Sequence, residues 1–309
     1  MPSSTGEFDF VRRVRARAAS HDRLTVPIGD DAACWEFPGP SQCLIATDML
    51  MEGVHVSFPD VTPELAGRKS LAVNLSDIAA MAGVPLAAFV AVTFPRERGA
   101  DFAERFQAGF QQLADEFDVI VAGGDTNTWD GPLVAAVTVV GEATERGPVT
   151  RSGATPGDAV FVTGELGGSR NGHHCRFTPR VREAQELHAA VNLHAMIDLS
   201  DGLASDLQHV LDESGVGAEI DAEAVPINSA LASSGDGRTP LERALSDGED
   251  FELCFTVSPQ DAERLLSGPP IAVRLSRIGT IFAERGCELV SQDGTRAPLQ
   301  RTGWEHGWT

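Results

Sequence analysis

The chain has 309 residues, 42% of them hydrophobic, and a formal net charge of −21. That balance excludes binding to nucleic acid through a broad basic face, which needs Lys and Arg to neutralise phosphates. Lys69 is the only lysine and no G-x-x-x-x-G-K-[ST] run occurs, so a P-loop is excluded and any nucleotide phosphate must be balanced by arginines and metal ions. The five cysteines are scattered without a C-x-x-C pair, against a zinc site or disulfide framework. Met1–Arg17 is charged and lacks an apolar signal core, and no run of about 18 apolar residues occurs, so the expectation is a cytoplasmic protein with no membrane span.

In chain order, Glu7–Ala19 reads as a short helix, followed by a turn at Gly29–Asp31 and a buried strand at Cys43–Thr47 that ends in Asp48. Pro63–Met81 is a long helix with Leu65, Leu71, Leu75 and Ile78 near one face. A strand at Ala87–Phe94, an amphipathic helix at Asp101–Phe117, a short strand at Val119–Ala122 running into Gly123-Gly124-Asp125, and a strand at Leu133–Val140 complete the first half. Composition shifts to Arg, Gly, Thr and Pro over Arg146–Asp158, which places a domain boundary near residue 149 and gives domains 1–149 and 150–309. The second half holds strands at Ala159–Thr163, Ala195–Leu199, Phe251–Val257 and Ile271–Ile281, with helices at Arg180–Asn192 and Asp201–Ser214. Strands and helices interleave in both halves, so the fold class is mixed α/β (α+β).

Five aspartate motifs carry the chemistry: Gly29-Asp30-Asp31, Thr47-Asp48, Asn74-Leu75-Ser76-Asp77, Gly123-Gly124-Asp125 and Asp198-Leu199-Ser200-Asp201-Gly202. Three follow an apolar strand, whose end can aim a carboxylate into a shared cleft. Asp77 instead falls within an apolar helical face, where an unpaired charge is costly and a metal ion would offset it. Hard oxygen donors of this kind suit Mg²⁺. A single Gly-Asp pair is ordinarily a turn and Asp201 alone reads as a helix N-cap; it is the set of five that points to a site. The glycine pair Gly123-Gly124 leaves backbone N–H groups open to phosphate, or makes a tight turn. Arg151 offers a planar fork to phosphate, or is a linker arginine.

The segments GEF (Gly6–Phe8), GDDAA (Gly29–Ala33), TDMLMEGVH (Thr47–His55), GRKSLAVNLSDIAAMAG (Gly67–Gly83), GGDT (Gly123–Thr126), TRSGATPGD (Thr150–Asp158), IDLSDGLASDLQHV (Ile197–Val210) and DGEDFELCFTV (Asp247–Val257), in this order, resemble the thiamine-monophosphate kinase family, part of the aminoimidazole ribonucleotide synthetase-like superfamily. The resemblance covers nearly the whole chain. It implies a two-domain fold whose N-terminal domains pair into a β-barrel across a homodimer, and transfer of phosphate from ATP to thiamine monophosphate with Mg²⁺. It assigns Asp30, Asp31, Thr47, Asp48, Asp77, Asp125, Asp198 and Asp201 to metal, Gly124, Arg151 and Ser200 to the nucleotide, and His55, Glu249 and Trp304 to the acceptor. No general base or covalent nucleophile is implied.

Two departures stand out: Ala46 replaces a frequent Ser, and the stretch Gly164–Pro179 is shorter than in typical members. Within that stretch, His173 and His174 read as an exposed loop pair. The shortening keeps open an enzyme of the same superfamily with another acceptor. A non-catalytic nucleotide-binding protein and a metal-dependent phosphohydrolase are the remaining alternatives; the first leaves the crowded carboxylates without a purpose, the second leaves Arg151 and the glycine pair without one.

Overall fold

The structure is a computed structural model that describes residues 23–26, 29–36, 42–169, 172–229, 231 and 237–304. The GEF run and the helix expected over Glu7–Ala19 lie outside the described residues. The first sheet contains β1 (Leu24–Val26), β2 (Ala33–Glu36), β3 (Gln42–Met51), β4 (Val84–Pro95), β5 (Ile120–Trp129) and β6 (Val134–Glu142), in the spatial order β1-β2-β3-β6-β4-β5. Every pairing is antiparallel except β4 with β5. A parallel pair needs a long crossover, and helix α2 (Gly99–Glu116) supplies it. Its Phe102, Phe106, Phe110 and Leu113 lie at helical spacing and are buried.

Helix α1 (Pro63–Ala80) is the centre of the molecule. Thr62 caps it by accepting from Leu65 N at 3.3 Å, and Pro63 occupies its first turn, where a missing N–H does no harm. Small residues alternate with leucines around it, so it is buried on nearly all sides rather than on one stripe. It packs on α2, β3 and β6. Backbone approach to α2 is close: a Cβ on Gly67 would lie 1.9 Å from Phe106 O, and one on Gly109 would lie 1.9 Å from Glu64 O. Gly109→Ala is therefore expected to force the two helices apart and lower stability by about 1–3 kcal/mol, the usual consequence of overpacking. Urea denaturation measures it, and an unchanged midpoint would refute the contact.

The second sheet contains β7 (Ala159–Thr163), β8 (Leu193–Asp198), β9 (Gly217–Asp221), β10 (Leu253–Val257), β11 (Leu275–Phe282), β12 (Gly286–Val290) and β13 (Arg296–Pro298), ordered β13-β12-β9-β11-β7-β10-β8. Only β9 and β12 run parallel. Helices α3 (Val181–Ala190), α4 (Leu203–Ser214), α5 (Pro240–Ser246) and α6 (Pro259–Ser267) flank it. Strand β7 is buried on both faces: Ala159 and Phe161 enter one hydrophobic core, Val160 and Val162 the other. A strand sandwiched in this way has no polar alternation. The first of these cores also contains Leu71, Leu75 and Ile78 of α1 and Val137 of β6, so the hydrophobic interior continues from the first sheet into the second. Two sheets in a mixed α/β chain match the expected class; neither sheet closes on itself within the described residues.

Two strands run further than expected. The strand read as ending at Asp48 continues to Met51, and the one read as ending at Ala122 continues through Gly123-Gly124-Asp125 to Trp129. Asp48 and Asp125 therefore sit inside strands, while Asp198 is the last residue of β8. The polar and glycine residues that looked like strand stops instead alternate across a ladder, which the backbone bonds hold whatever the side chains.

Candidate active site

Across the first sheet Asp48 pairs with Val137, Val137 with Val90, and Val90 with Gly124. Val137 is fully buried and Val90 is 8% exposed, so this row faces the helices. Asp48 thus points inward, where α1 brings Asp77 against it. The second sheet adds Asp198 from the end of β8, and the turn after β1 adds Asp31. Carboxylate oxygens of Asp31, Asp77 and Asp198 all lie within 4.8 Å of one another. Burial, then the repulsion of Asp48, Asp198 and Asp31, pushes Asp77 well above the usual carboxylate range. Burial and Asp31 do the same to Asp198, and burial raises Asp48.

Arg151 is the one guanidinium on this cluster among the described residues. It forks onto Asp31 through Nε to Oδ2 at 2.9 Å and Nη2 to Oδ1 at 2.8 Å, while its backbone N donates to Asp30 Oδ2 at 3.0 Å. Burial and the adjacent Asp31 push Asp30 up to about 7. Ser76 Oγ donates to Asp198 Oδ2 at 2.5 Å. Neither Asp201 nor its neighbours cap α4 with a side chain: the N-cap is Gly202, and Asp206, held in the first turn, accepts from Asp201 N and Gly202 N at 3.0 Å each. Asp206 was not singled out in the sequence, though a carboxylate in a helix's first turn is a legible anchor for free N–H groups.

Beside the cluster opens a cavity of about 700 Å³ whose lining includes Asp48, Asp77, Asp198, Ser200 and Asp201 together with His55, Lys69, His174, Glu249, Phe251 and Trp304. His55 Nδ1 accepts from Met51 N at 3.0 Å, which places the proton of its neutral ring on Nε2. Trp304 is 48% exposed and its backbone N donates to Asp201 O at 3.1 Å. The segment 247–251 is bent: Glu249 and Phe251 adopt φ of 55° and 50°, unusual for residues with side chains. Bonds from Glu249 N to Ser200 O at 2.7 Å and from Phe251 N to Leu199 O at 2.8 Å hold them there.

Asp250 lies between them and takes Gly167 N at 3.0 Å on both oxygens. Burial pushes its carboxyl up to about 8. The folded chain then keeps a proton that the unfolded chain releases near 4, so the stability from this group is complete at low pH and drains away as pH rises toward 8. Asp250→Asn is expected to flatten that loss, narrowing the stability difference between pH 5 and pH 8 by about 1–3 kcal/mol in urea titrations. Equal pH dependence in both proteins would count against it.

The structure does not gather every expected residue. Thr47 and Asp125 belong to the other face of the sheet. Thr47 Oγ1 meets Thr138 Oγ1 and Val137 O, each at 3.0 Å. Asp125 is exposed, aligned through Ala91 and Ala136 with Met49, and its only side-chain bond among the described residues is from Asn127 Nδ2 at 2.8 Å. Three strand spacings of about 4.8 Å put it some 14 Å from Asp48. Gly124 is pressed against β4, where a Cβ would lie 2.0 Å from Val90 O. Conversely, His174, expected as an exposed loop residue, is half-buried against Lys69 and Glu249, whereas His173 is exposed. Lys69, read only as the absence of a P-loop, is buried at the cavity. A lone lysine inside an apolar helical run was the available signal.

The oxygen-only donor set fits Mg²⁺ on this structure's own terms: three carboxylates converge, Asp198 buried and Asp31 and Asp77 half-buried, and the raised proton affinities of Asp77 and Asp198 record a concentration of negative charge that a small divalent cation would neutralise.

Two open sheets with acids gathered between them define a class. Residues 29–143 match the family "AIR synthase related protein, N-terminal domain" and residues 168–292 match "AIR synthase related protein, C-terminal domain". The thiamine-monophosphate kinase of Rhodopirellula baltica is 40% identical, covering 91% of this chain and 90% of that protein. That of Escherichia coli K12 is 35% identical over 97% of this chain and 98% of its own length. Among solved structures, "AaThiL complexed with AMPPCP and TMP" superposes with a TM-score of 0.83 at 30% identity, covering 98% of this chain and 97% of that one. The thiamine-monophosphate kinase of Stenotrophomonas maltophilia K279a does so at 0.72 and 34%, covering 94% and 98%. A HypE–HypF complex chain, 18% identical with a TM-score of 0.76 over 96% of this chain and all of that one, shares the fold alone. The chain belongs to the thiamine-monophosphate kinase family within the AIR synthase related proteins.

Proposed function

We propose that this kinase transfers the γ-phosphoryl group of ATP to the phosphate of thiamine monophosphate, in line and without a covalent intermediate. The observation that carries the reading is the carboxylate cluster opening directly into a cavity that an aromatic, a histidine and a further carboxylate also line. The relatives named thiamine-monophosphate kinase support the reaction, and the AMPPCP and TMP complex supports the two substrates.

Asp31, Asp48, Asp77 and Asp198 would hold Mg²⁺, with Asp30 and Asp201 beside them. Bound there, the cation would neutralise the repulsion between two phosphate-bearing substrates. The chain's own groups set up the geometry. Arg151 fixes Asp31 and presents the remainder of its guanidinium to the nucleotide, Ser76 fixes Asp198, and Ser200 lies where the nucleotide enters. His55 and Glu249 contact the acceptor and Trp304 stacks on its ring. The acceptor phosphate is already an anion at neutral pH, so no base is needed.

A homodimer is part of the same reading, with residues 1–149 supplying the paired sheets and residues 150–309 covering the nucleotide. Its support is the outward face of the first sheet, where Met49 is 53% and Phe89 42% exposed beside Thr47 and Asp125. Pairing would cover these side chains and bring Gly124 and Asp125 of one chain toward the cluster of its partner. No helix among the described residues is long and apolar enough to cross a membrane.

The test is ADP release from MgATP with and without thiamine monophosphate, with the thiamine product identified. ADP formed in step with thiamine diphosphate is expected. The short 164–179 stretch favours one second reading, another acceptor. Transfer to a different phosphate ester with thiamine monophosphate inert would select it.

A further inference from the structure

Lys69 is 1% exposed, yet its ammonium carries three hydrogens that each need a partner. Two go to His55 O at 2.9 Å and, in a short contact, to Glu249 Oε1. The same nitrogen lies 2.8 Å from His174 Nδ1, and buried in this way the single lysine is a fixture. Glu249 Oε2 lies 3.3 Å from His174 Nδ1, and with the ring proton on that nitrogen each carboxylate oxygen faces one donor. A carboxylate offers about four lone-pair sites, which leaves two open, and the Glu249 side chain is 33% exposed where it lines the cavity. Burial would push this carboxyl up, but the bond to His174 and the Lys69 ammonium outweigh it and hold it below the ordinary range.

His174 comes from the stretch that is short in this chain, and it is held rigidly. The next residue, Cys175, is 2% exposed, and Phe177 is 3% exposed. Phe177 stacks on Phe251 with centroids 4.2 Å apart and planes 13° apart. Arg68 Nη2 donates to Phe177 O at 2.7 Å. His174 is therefore part of the cavity wall, on a segment packed against α1 and the bent 247–251 segment.

We propose that His174 is a positioning residue for the acceptor: with Lys69 it fixes the Glu249 carboxyl group facing the cavity, and through Glu249 it selects an acceptor that bears a positive charge or N–H donors beside its phosphate. The inference rests on the kinase reading above and names what this chain's short loop contributes to it. In a cavity also lined by aspartates, a further fixed negative group disfavours a purely anionic acceptor and favours a cationic heteroaromatic ring.

The experiment is steady-state kinetics at saturating MgATP with thiamine monophosphate varied, for the unaltered chain, His174→Ala, His174→Gln, Glu249→Gln and the double variant His174→Ala with Glu249→Gln. His174→Ala is expected to raise KM for thiamine monophosphate about tenfold, the loss of one charge-assisted hydrogen bond. Its KM for ATP and its kcat should stay within about twofold. His174→Gln, which can still bridge Lys69 and Glu249, should recover part of the loss and provides the comparison if the alanine variant does not fold. The double variant should be no worse than Glu249→Gln alone, because His174 acts through that carboxylate. Additive effects, or an unchanged KM in His174→Ala beside an active parent, overturn the inference and leave the kinase reading intact. A parent with no transfer to thiamine monophosphate overturns the kinase reading, and this inference falls with it.

Discussion

Asp77→Asn is expected to lower kcat by about 10³-fold or more while raising the melting temperature of the metal-free protein. The two effects have one cause. Asp77 stands among Asp48, Asp198 and Asp31 inside the molecule, and the repulsion of those neighbours, added to burial, already favours a protonated carboxyl there. Asparagine keeps the shape and removes the charge, so strain in the metal-free chain falls by about 1–2 kcal/mol. The same exchange deletes a ligand for the cation that would offset phosphate repulsion, a contribution of several kcal/mol to the barrier. Calorimetric melting in EDTA and in Mg²⁺ checks the first effect: Mg²⁺ should stabilise the parent clearly and the variant little. Near-normal turnover in Asp77→Asn would remove the metal assignment.

Asp125→Ala is expected to be as inactive as Asp77→Asn, yet mixing the two inactive proteins should restore activity. Asp125 lies about 14 Å from Asp48 and on the opposite face of the sheet, a separation fixed by three strand spacings. No side-chain movement inside one chain brings it to the cluster. If it serves the nucleotide and metal, it does so in the partner's site. A mixed dimer then has one site in which both defects coincide and one that is intact, so equilibrated mixtures should recover up to about a quarter of the parent rate by simple subunit statistics. Two inactive proteins that stay inactive after verified subunit exchange would place Asp125 in its own chain's site or outside any site. Full activity of Asp125→Ala by itself would remove it from the machinery altogether.

Much of the candidate site was legible along the chain because its residues come in short motifs next to strongly patterned elements. Helix α1 was readable from Pro63 to Met81, and its Asp77 was marked by the cost of a carboxylate among leucines and alanines. Strand β7 was readable end to end, since a run buried on both faces is apolar throughout. What could not be read was which face of a strand each acid occupies. Thr47 and Asp48 are adjacent in sequence and point to opposite sides of β3, because the pleat alternates at every residue; only pairing with Val137 and Thr138 of β6 determines which side meets α1.

The sequence by itself determined the inventory: oxygen-bearing aspartate motifs without a zinc set, no P-loop lysine, an arginine for the proposed phosphate contact, and interleaved strands and helices. Those follow from residue type and local pattern, which survive without a fold. Only the tertiary structure decided who meets whom. It drew Asp31, Asp77 and Asp198 together from a turn, a helix and a strand end. It sent Asp125 to an exposed face. It also buried Lys69 between His55, His174 and Glu249, residues up to 180 positions away. Contacts of that range are set by how two sheets close over one helix, and no periodicity of 2.0 or 3.6 residues encodes them.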